Sequence, residues 1–400
     1  MKQQRLTIIS SDCHAGATPD TYRGYVAPKL RGEYDRWLEA AAVATQSRAS
    51  GAIKVDTAGA KRRKWFAEQA AVKEGGMSGA WDSAVRLREL DREGLAGEVL
   101  FADGQNKNHP PFGVGFAAPR MEVPLKLRQA GCRAHNRWLA DFCSAAPERQ
   151  AGVALIAPDD PKQAVREIEW ARKAGLRGGI MLPALSLWTD DPEKFWNHPR
   201  YEPIWAACAD LDMPVHTHAA GPTLNYGDLP GARWILTTEV YLTTYRLLWF
   251  LLWPGVLERY PKLNVVITEA GGGLIPYLLQ LFDYLAAERN VEMLRQLIKL
   301  KPSEYWARQC FIGASPPGDR PEVDARQALG VRSIMWGSDY PHIEGTWPKS
   351  HERLKTMFAG VPEGETRAML GGNAAKLYGF DLKKLRPIAQ RIGPTVADLA

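Results

Sequence analysis

Four stretches of this chain end an apolar run on side chains that bind metal ions: Asp12-Cys13-His14, Val215-His216-Thr217-His218, Ile267-Thr268-Glu269-Ala270 and Gly337-Ser338-Asp339-Tyr340-Pro341-His342. Imidazoles and carboxylates are nitrogen and oxygen donors, and a metal site forms only where several of them converge. Asp12 and His14 are two residues apart, as are His216 and His218, so in an extended strand each pair faces one side. A lone Asp-x-His is a weak pattern, satisfied equally by a turn aspartate and a surface histidine. Its recurrence at separate strand ends gives it weight. Asp12, His14, His218, Glu269, Asp339 and His342 are the candidate metal ligands. Asp339 is also a candidate catalytic residue, able to act as general base toward a metal-bound water. His216 is either a further ligand, a catalytic residue or a histidine that orients its neighbour. His109, within Asn106-Lys107-Asn108-His109-Pro110-Pro111, and Tyr340 are candidate substrate contacts.

The elements that must bring these residues together follow from the alternation of short β-rich runs with helical patterns, which points to βα units and a parallel sheet. Candidate strands occupy residues 6–10, 97–102, 152–156, 178–182, 214–218, 264–268, 311–313 and 333–336. Eight strands close a (β/α) barrel, in which catalytic residues come from the C-terminal ends of different strands. Residues 161–173 carry helical spacing behind the capping pair Asp159-Asp160, and residues 274–300 form another amphipathic stretch. Residues 15–95 hold no strong strand and are expected to form a mainly helical insertion after strand one. Residues 221–236, rich in Gly, Pro and Asn, are expected to form a long loop after the fifth strand, where loops often cover active sites. The expected fold is therefore α/β, a distorted TIM (β/α)8 barrel. One domain would span residues 1–380, and residues 381–400, with few apolar anchors, would form a peripheral tail.

Composition narrows the function classes. A chain of 400 residues with 45% hydrophobic content can bury a large core. The net charge of +6 is spread among 45 acidic residues, and Lys61-Arg62-Arg63-Lys64 reads as a solvated helix face, so no nucleic-acid partner is expected. Five cysteines without a C-x-x-C pair argue against a disulfide framework or thiolate zinc site. The N-terminus lacks a signal-peptide pattern, and the apolar run 247–256 is about half the length that spans a bilayer. A cytoplasmic protein with no membrane partner, a small-molecule substrate, and assembly as a homo-oligomer or with a paralogous subunit is expected. Among fourteen tryptophans, Trp65, Trp81, Trp188, Trp234 and Trp347 fall in expected loops or in the insertion, where they either pack it onto the barrel or line a pocket.

Taken together, Asp12-x-His14, Pro214-Val215-x-x-His218, Gly337-Ser338-Asp339-Tyr340-Pro341-His342 and the later Gly372-Asn373-Ala374-Ala375-Lys376-Leu377-Tyr378-Gly379 resemble the amidohydrolase-related family. This is the branch of the amidohydrolase superfamily that includes aminocarboxymuconate-semialdehyde decarboxylase. The resemblance runs in order over almost the whole chain. It implies a distorted TIM barrel with a metal site at the strand C-termini, and it puts Asp12, His14, His218 and Asp339 at ligand positions. Where those decarboxylases carry a histidine at the end of the sixth strand, this chain has Glu269.

A glutamate can bridge two cations. Three carboxylates and three imidazoles are more donors than one zinc ordinarily takes, and they also suit iron and manganese. The set is similar to that of dinuclear non-haem iron or iron/manganese oxygenases of this fold. The expectation is then a monooxygenase with two divalent metals per chain, Fe or Fe/Mn, with Zn as another choice. A metal-dependent hydrolase or non-oxidative decarboxylase is the alternative, and a non-catalytic metal-binding subunit of a paralogous complex is a second one.

Overall fold

The computed structural model describes residues 5–50, 57–103, 108–115, 121–183, 191–219, 226, 229–288, 291–314 and 320–399. Eight parallel strands pair in chain order: β1 (Ile8–Ala15), β2 (Leu95–Ala102), β3 (Gln150–Leu155), β4 (Gly179–Met181), β5 (Val215–His218), β6 (Val265–Thr268), β7 (Cys310–Ala314) and β8 (Ile334–Trp336). The barrel closes between β1 and the segment just past β8. There the Asp339 N–H donates to the Asp12 carbonyl at 2.8 Å and the His14 N–H to the Tyr340 carbonyl at 2.7 Å. Cys13 and Tyr340 form a parallel bridge at the same place. All eight expected strands exist, and the barrel is a TIM (β/α)8 fold.

The first strand runs further than its apolar run suggests. Leu6 to Ser10 reads as the strand, yet pairing continues to Ala15, so Asp12 and His14 lie inside β1 and are fully buried. The register slips between Ser10 and Cys13, where three steps along β1 face two along β2. One extra residue bends a strand and re-aims its side chains.

Alternation along the strands divides the core. In β6, Val265 and Ile267 pack outward among the helices while Val266 points into the barrel. In β5, Val215 packs outward. His216 takes the inner position, against Phe101 of β2. Burial on both faces is why such strands are apolar without clean alternation. Helices cover the outside. Pro161–Lys173 is capped by Asp160, whose side chain accepts the Gln163 N–H at 3.1 Å, and it buries Ala164, Ile168 and Ala171 on one face.

Between β1 and β2 lie the helices Pro19–Tyr25, Arg31–Ser50, Thr57–Glu68, Ala70–Lys73 and Ser83–Arg92. Tyr22, Tyr34 and Trp37 from this insertion pack with Phe112 and Trp138 through ring contacts of 5.5 to 6.1 Å. Of the singled-out tryptophans, Trp347 is buried, Trp81 is partly buried, and Trp65 and Trp234 are exposed. Trp188 lies outside the described residues.

The C-terminal segment expected as a peripheral tail carries a helix. Leu382–Ile392 is a helix, capped by Asp381, whose Leu385 and Ala389 are buried in the same apolar cluster as Ala96 and Val99 of β2. The spacing of four places both on one face. Ile388 packs beside them, Leu399 is buried as well, and the Leu6 N–H donates to the Pro394 carbonyl at 2.7 Å. Residues 221–236 divide similarly: a helix, Ala232–Thr244, begins inside the expected loop, while 221–225 and 227–228 lie outside the described residues. Among the described residues, no helix is long and apolar enough to cross a membrane. All five cysteines are buried and free.

Candidate metal centre

Asp12 and His14 enter the barrel mouth from β1, His218 from the last residue of β5, and Asp339 from the turn after β8. The Nε2 of His14 lies 3.1 Å from Asp339 Oδ1 and 3.4 Å from Asp12 Oδ1, and the same Asp12 oxygen is 3.2 Å from His218 Nε2. Donor atoms of Asp12, His14 and His218 fall within 4.8 Å of one another, as do those of His14, Asp339 and His342. His342 stacks on His14 at a ring separation of 3.8 Å and brings its Nδ1 to 3.0 Å from Asp339 Oδ1.

Glu269 follows β6 and meets this cluster from another side. Its carboxylate is 3.1 Å from His218 Nδ1, so His218 is spanned by Glu269 on one nitrogen and Asp12 on the other. Glu269 and Asp339 both have φ of 57°, the left-handed region that costs a non-glycine residue about 1–3 kcal/mol. Backbone bonds hold them there: Glu269 N–H to Gly313 at 3.1 Å, and the Asp339 carbonyl accepting the His342 N–H at 2.7 Å. Tyr245 donates to Gly271 at 2.8 Å and steadies the turn after Glu269.

Burial sets the electrostatics. Asp12, His14 and Asp339 are completely buried, and isolated buried carboxylates are costly unless a positive charge compensates them. Burial and the neighbouring His342 hold His14 well below the usual histidine range. Burial also opposes charge on His218, but Asp12 and Glu269 outweigh it and push its pKa up to about 10. Burial, then Asp339, pushes Glu269 up to about 8. The cluster thus draws protons onto His218, between Asp12 and Glu269, and onto His342, whose pKa Asp339 raises well above the usual histidine range against the opposing effect of burial. A divalent cation answers the same demand and displaces such protons on binding. The converging carboxylates and imidazoles, with no thiolate among them, suit a divalent cation.

Other expected residues sit elsewhere. His216 lies one layer deeper, its Nε2 2.9 Å from the Gly178 carbonyl and its ring stacked on Tyr378 at 5.8 Å. Burial takes its pKa to about 3, which keeps the ring neutral. Tyr340 is buried with its hydroxyl donating to Gly76 at 2.5 Å, which turns it away from the donors. His109 stands nearer the rim, 3.9 Å from Asp103, and Asp103 in turn is 3.9 Å from His342. Asp103 is not among the expected residues, although it directly follows β2 in the same strand-end pattern as the others. Glu344 was also missed. Its donor atom falls within 4.8 Å of those of Glu269 and Asp339, and its signal in the sequence is a carboxylate two residues after His342 in the same loop.

Several known proteins resemble this chain. The gamma-resorcylate decarboxylase of Rhodococcus jostii (strain RHA1) is 27% identical over 310 residues, covering 74% of this chain and 87% of that protein. The 2-amino-3-carboxymuconate-6-semialdehyde decarboxylase of Dictyostelium discoideum is 22% identical over 322 residues, covering 77% and 79%. Among solved structures, the 5-carboxyvanillate decarboxylase of Novosphingobium aromaticivorans, complexed with manganese and 4-hydroxy-3-methoxy-5-nitrobenzoic acid, superposes with a TM-score of 0.63. It is 19% identical, with 95% of this chain and 99% of that one covered, and supports the fold. These relatives overturn the expectation of an iron oxygenase: they are decarboxylases, and they favour the non-oxidative decarboxylase that stood as its alternative. The amidohydrolase family pattern itself extends over residues 12–380, almost from the first strand to the last helices, and the chain belongs to that family.

Proposed function

We propose that this protein is a divalent-cation-dependent, non-oxidative decarboxylase of a small, electron-rich carboxylic acid, of the hydroxybenzoate or carboxymuconate kind. The observation that carries this reading is the convergence of Asp12, His14, His218 and Asp339 from β1, β5 and β8 at contacts of 3.1 to 3.4 Å. The relatives named as decarboxylases support it, and one related structure holds manganese. Asp12, His14, His218 and Asp339 would hold a single cation. That cation would supply Lewis-acid chemistry toward an anionic oxygen of the substrate.

The remaining groups have separable tasks. Glu269 holds His218 by Nδ1 and leaves Nε2 facing the cation position, the arrangement that orients metal-binding imidazoles. This replaces the bridging role expected for Glu269, and with it the second cation. Loss of carbon dioxide leaves the electron pair of the broken C–C bond on carbon, so one proton must reach that carbon. Asp339 is the group through which it passes, with His342 at 3.0 Å to exchange protons with it. Burial of these groups keeps bulk water from competing. His216 and Tyr340 have no part in this scheme.

The test is anaerobic incubation of the Mn²⁺-loaded protein with 2,6-dihydroxybenzoate, 5-carboxyvanillate and related hydroxybenzoates in D₂O. Carbon dioxide should be released, and one deuterium should appear at the carbon that lost it. Absence of carbon dioxide across the panel, with turnover appearing only when dioxygen is admitted, would sink the proposal.

A further inference from the structure

The helical insertion sends one charged side chain under the candidate metal centre. Arg86, from the helix Ser83–Arg92, is fully buried. Its Nε and Nη2 grip both carboxylate oxygens of Glu98 on β2 at 2.5 to 3.0 Å, a bidentate fork. Gln150 of β3 donates to the same carboxylate at 2.9 Å. The remaining guanidinium nitrogen, Nη1, donates to the carbonyl of His14 at 2.8 Å. The guanidinium plane also covers the ring of Tyr340, 4.3 Å from its centroid.

His14 and Tyr340 are themselves joined, since the His14 N–H donates to the Tyr340 carbonyl at 2.7 Å. Tyr340 adjoins Asp339. Arg86 therefore touches the backbone of one donor residue and the neighbour of another, at the seam where the barrel closes. The insertion is shaped for this contact: a Cβ on Gly79 would fall 2.1 Å from the Tyr340 hydroxyl.

Stability alone is a poor reason for such a pair. Taking two charges out of water costs several kcal/mol each, and apolar replacements of similar volume are often neutral or stabilising. An apolar side chain, however, cannot donate to the His14 carbonyl. We propose that Arg86, held by Glu98, is a positioning residue that fixes His14 and the Asp339–Tyr340 turn in the geometry that binds the cation. This rests on the cation site proposed for Asp12, His14, His218 and Asp339.

The experiment compares Mn²⁺ affinity, by calorimetric titration, with the melting temperature of the metal-free protein. The double variant Arg86→Met/Glu98→Leu removes both charges together and should melt close to the wild type. Its Mn²⁺ affinity should fall by about ten- to a hundredfold, the usual effect of losing a group that orients metal ligands. Arg86→Lys should recover part of that loss, because an ammonium can still donate to the His14 carbonyl. Gly79→Ala keeps both charges and displaces Tyr340, so it should also weaken Mn²⁺ binding; it decides the matter if the double variant does not fold. Variants that bind Mn²⁺ as tightly as the wild type would overturn the role of Arg86 while leaving the cation site standing. Wild-type protein that binds no Mn²⁺ would overturn the cation site and this proposal with it.

Discussion

Glu269 stands 3.1 Å from the Nδ1 of His218, on the side of the ring turned away from Asp12. A carboxylate in that position selects the tautomer and fixes the ring, and its loss weakens metal binding without removing a ligand. Glu269→Ala should therefore lower Mn²⁺ affinity about ten- to a hundredfold at unchanged stoichiometry. Glu269→Gln should do less harm, because its amide oxygen can accept the same N–H. Calorimetric titration reads both quantities; a variant that bound half as much metal at native affinity would make Glu269 a ligand of a second cation.

His14 touches Asp12, Asp339 and His342 at once, so it is the residue whose removal should empty the site. His14→Ala should lose most bound metal on elemental analysis while its far-ultraviolet circular dichroism stays native. Full metal content in this variant would remove His14 from the ligand set.

Asp339 serves both the cation and the proton, and the two roles separate on substitution. Asp339→Asn keeps an oxygen donor but loses proton transfer, which general acid–base catalysis values at about 10²–10⁴ in rate. The expected result is a fall in kcat of that order beneath a smaller loss of Mn²⁺ affinity. A variant whose kcat recovered fully at saturating Mn²⁺ would show that Asp339 is a ligand alone.

Chelation should loosen the whole barrel mouth, because the donors come from strands at opposite ends of the sequence. A ligand at a hundred times its Kd stabilises the folded state by about 2.7 kcal/mol. Melting temperature should accordingly fall on treatment with a chelator and climb again with added Mn²⁺. Melting that ignored both additions would argue against a site built into the native fold.

Glu93 offers a pH test away from the metal centre. It is buried, and its carboxylate accepts the Ser350 N–H at 2.8 Å. Burial, assisted by Glu89, raises its pKa against the opposing Ser350 bonds and Arg92. A carboxyl group that holds its proton more tightly when folded stabilises the fold at low pH, and that contribution is lost as pH rises through the folded-state value. Glu93→Gln, which keeps an acceptor without the charge, should gain melting temperature relative to wild type as pH is raised from about 5 to about 8. A gain that shrank over this interval would contradict the assignment.

Taken alone, the sequence determined the eight strands, their order and most of the residues that gather at the candidate site, because these signals are local. An apolar run that stops at a carboxylate or imidazole marks a strand end, and a spacing of two residues marks a shared face. The tertiary structure decided which faces meet. Asp12 and His218 are 206 residues apart in sequence, and only barrel closure places them 3.2 Å from each other. The same spacing of two that marked His216 and His218 could not say that one would meet Asp12 and Glu269 and the other would pair with the Gly178 carbonyl and stack on Tyr378. Nor could local pattern reveal that Glu269 would face the far nitrogen of His218, or that Tyr340 would turn under Arg86 instead of toward the donors. Those outcomes depend on a left-handed turn, a strand bulge and a helix from a distant insertion, each fixed by contacts between segments that the sequence keeps apart.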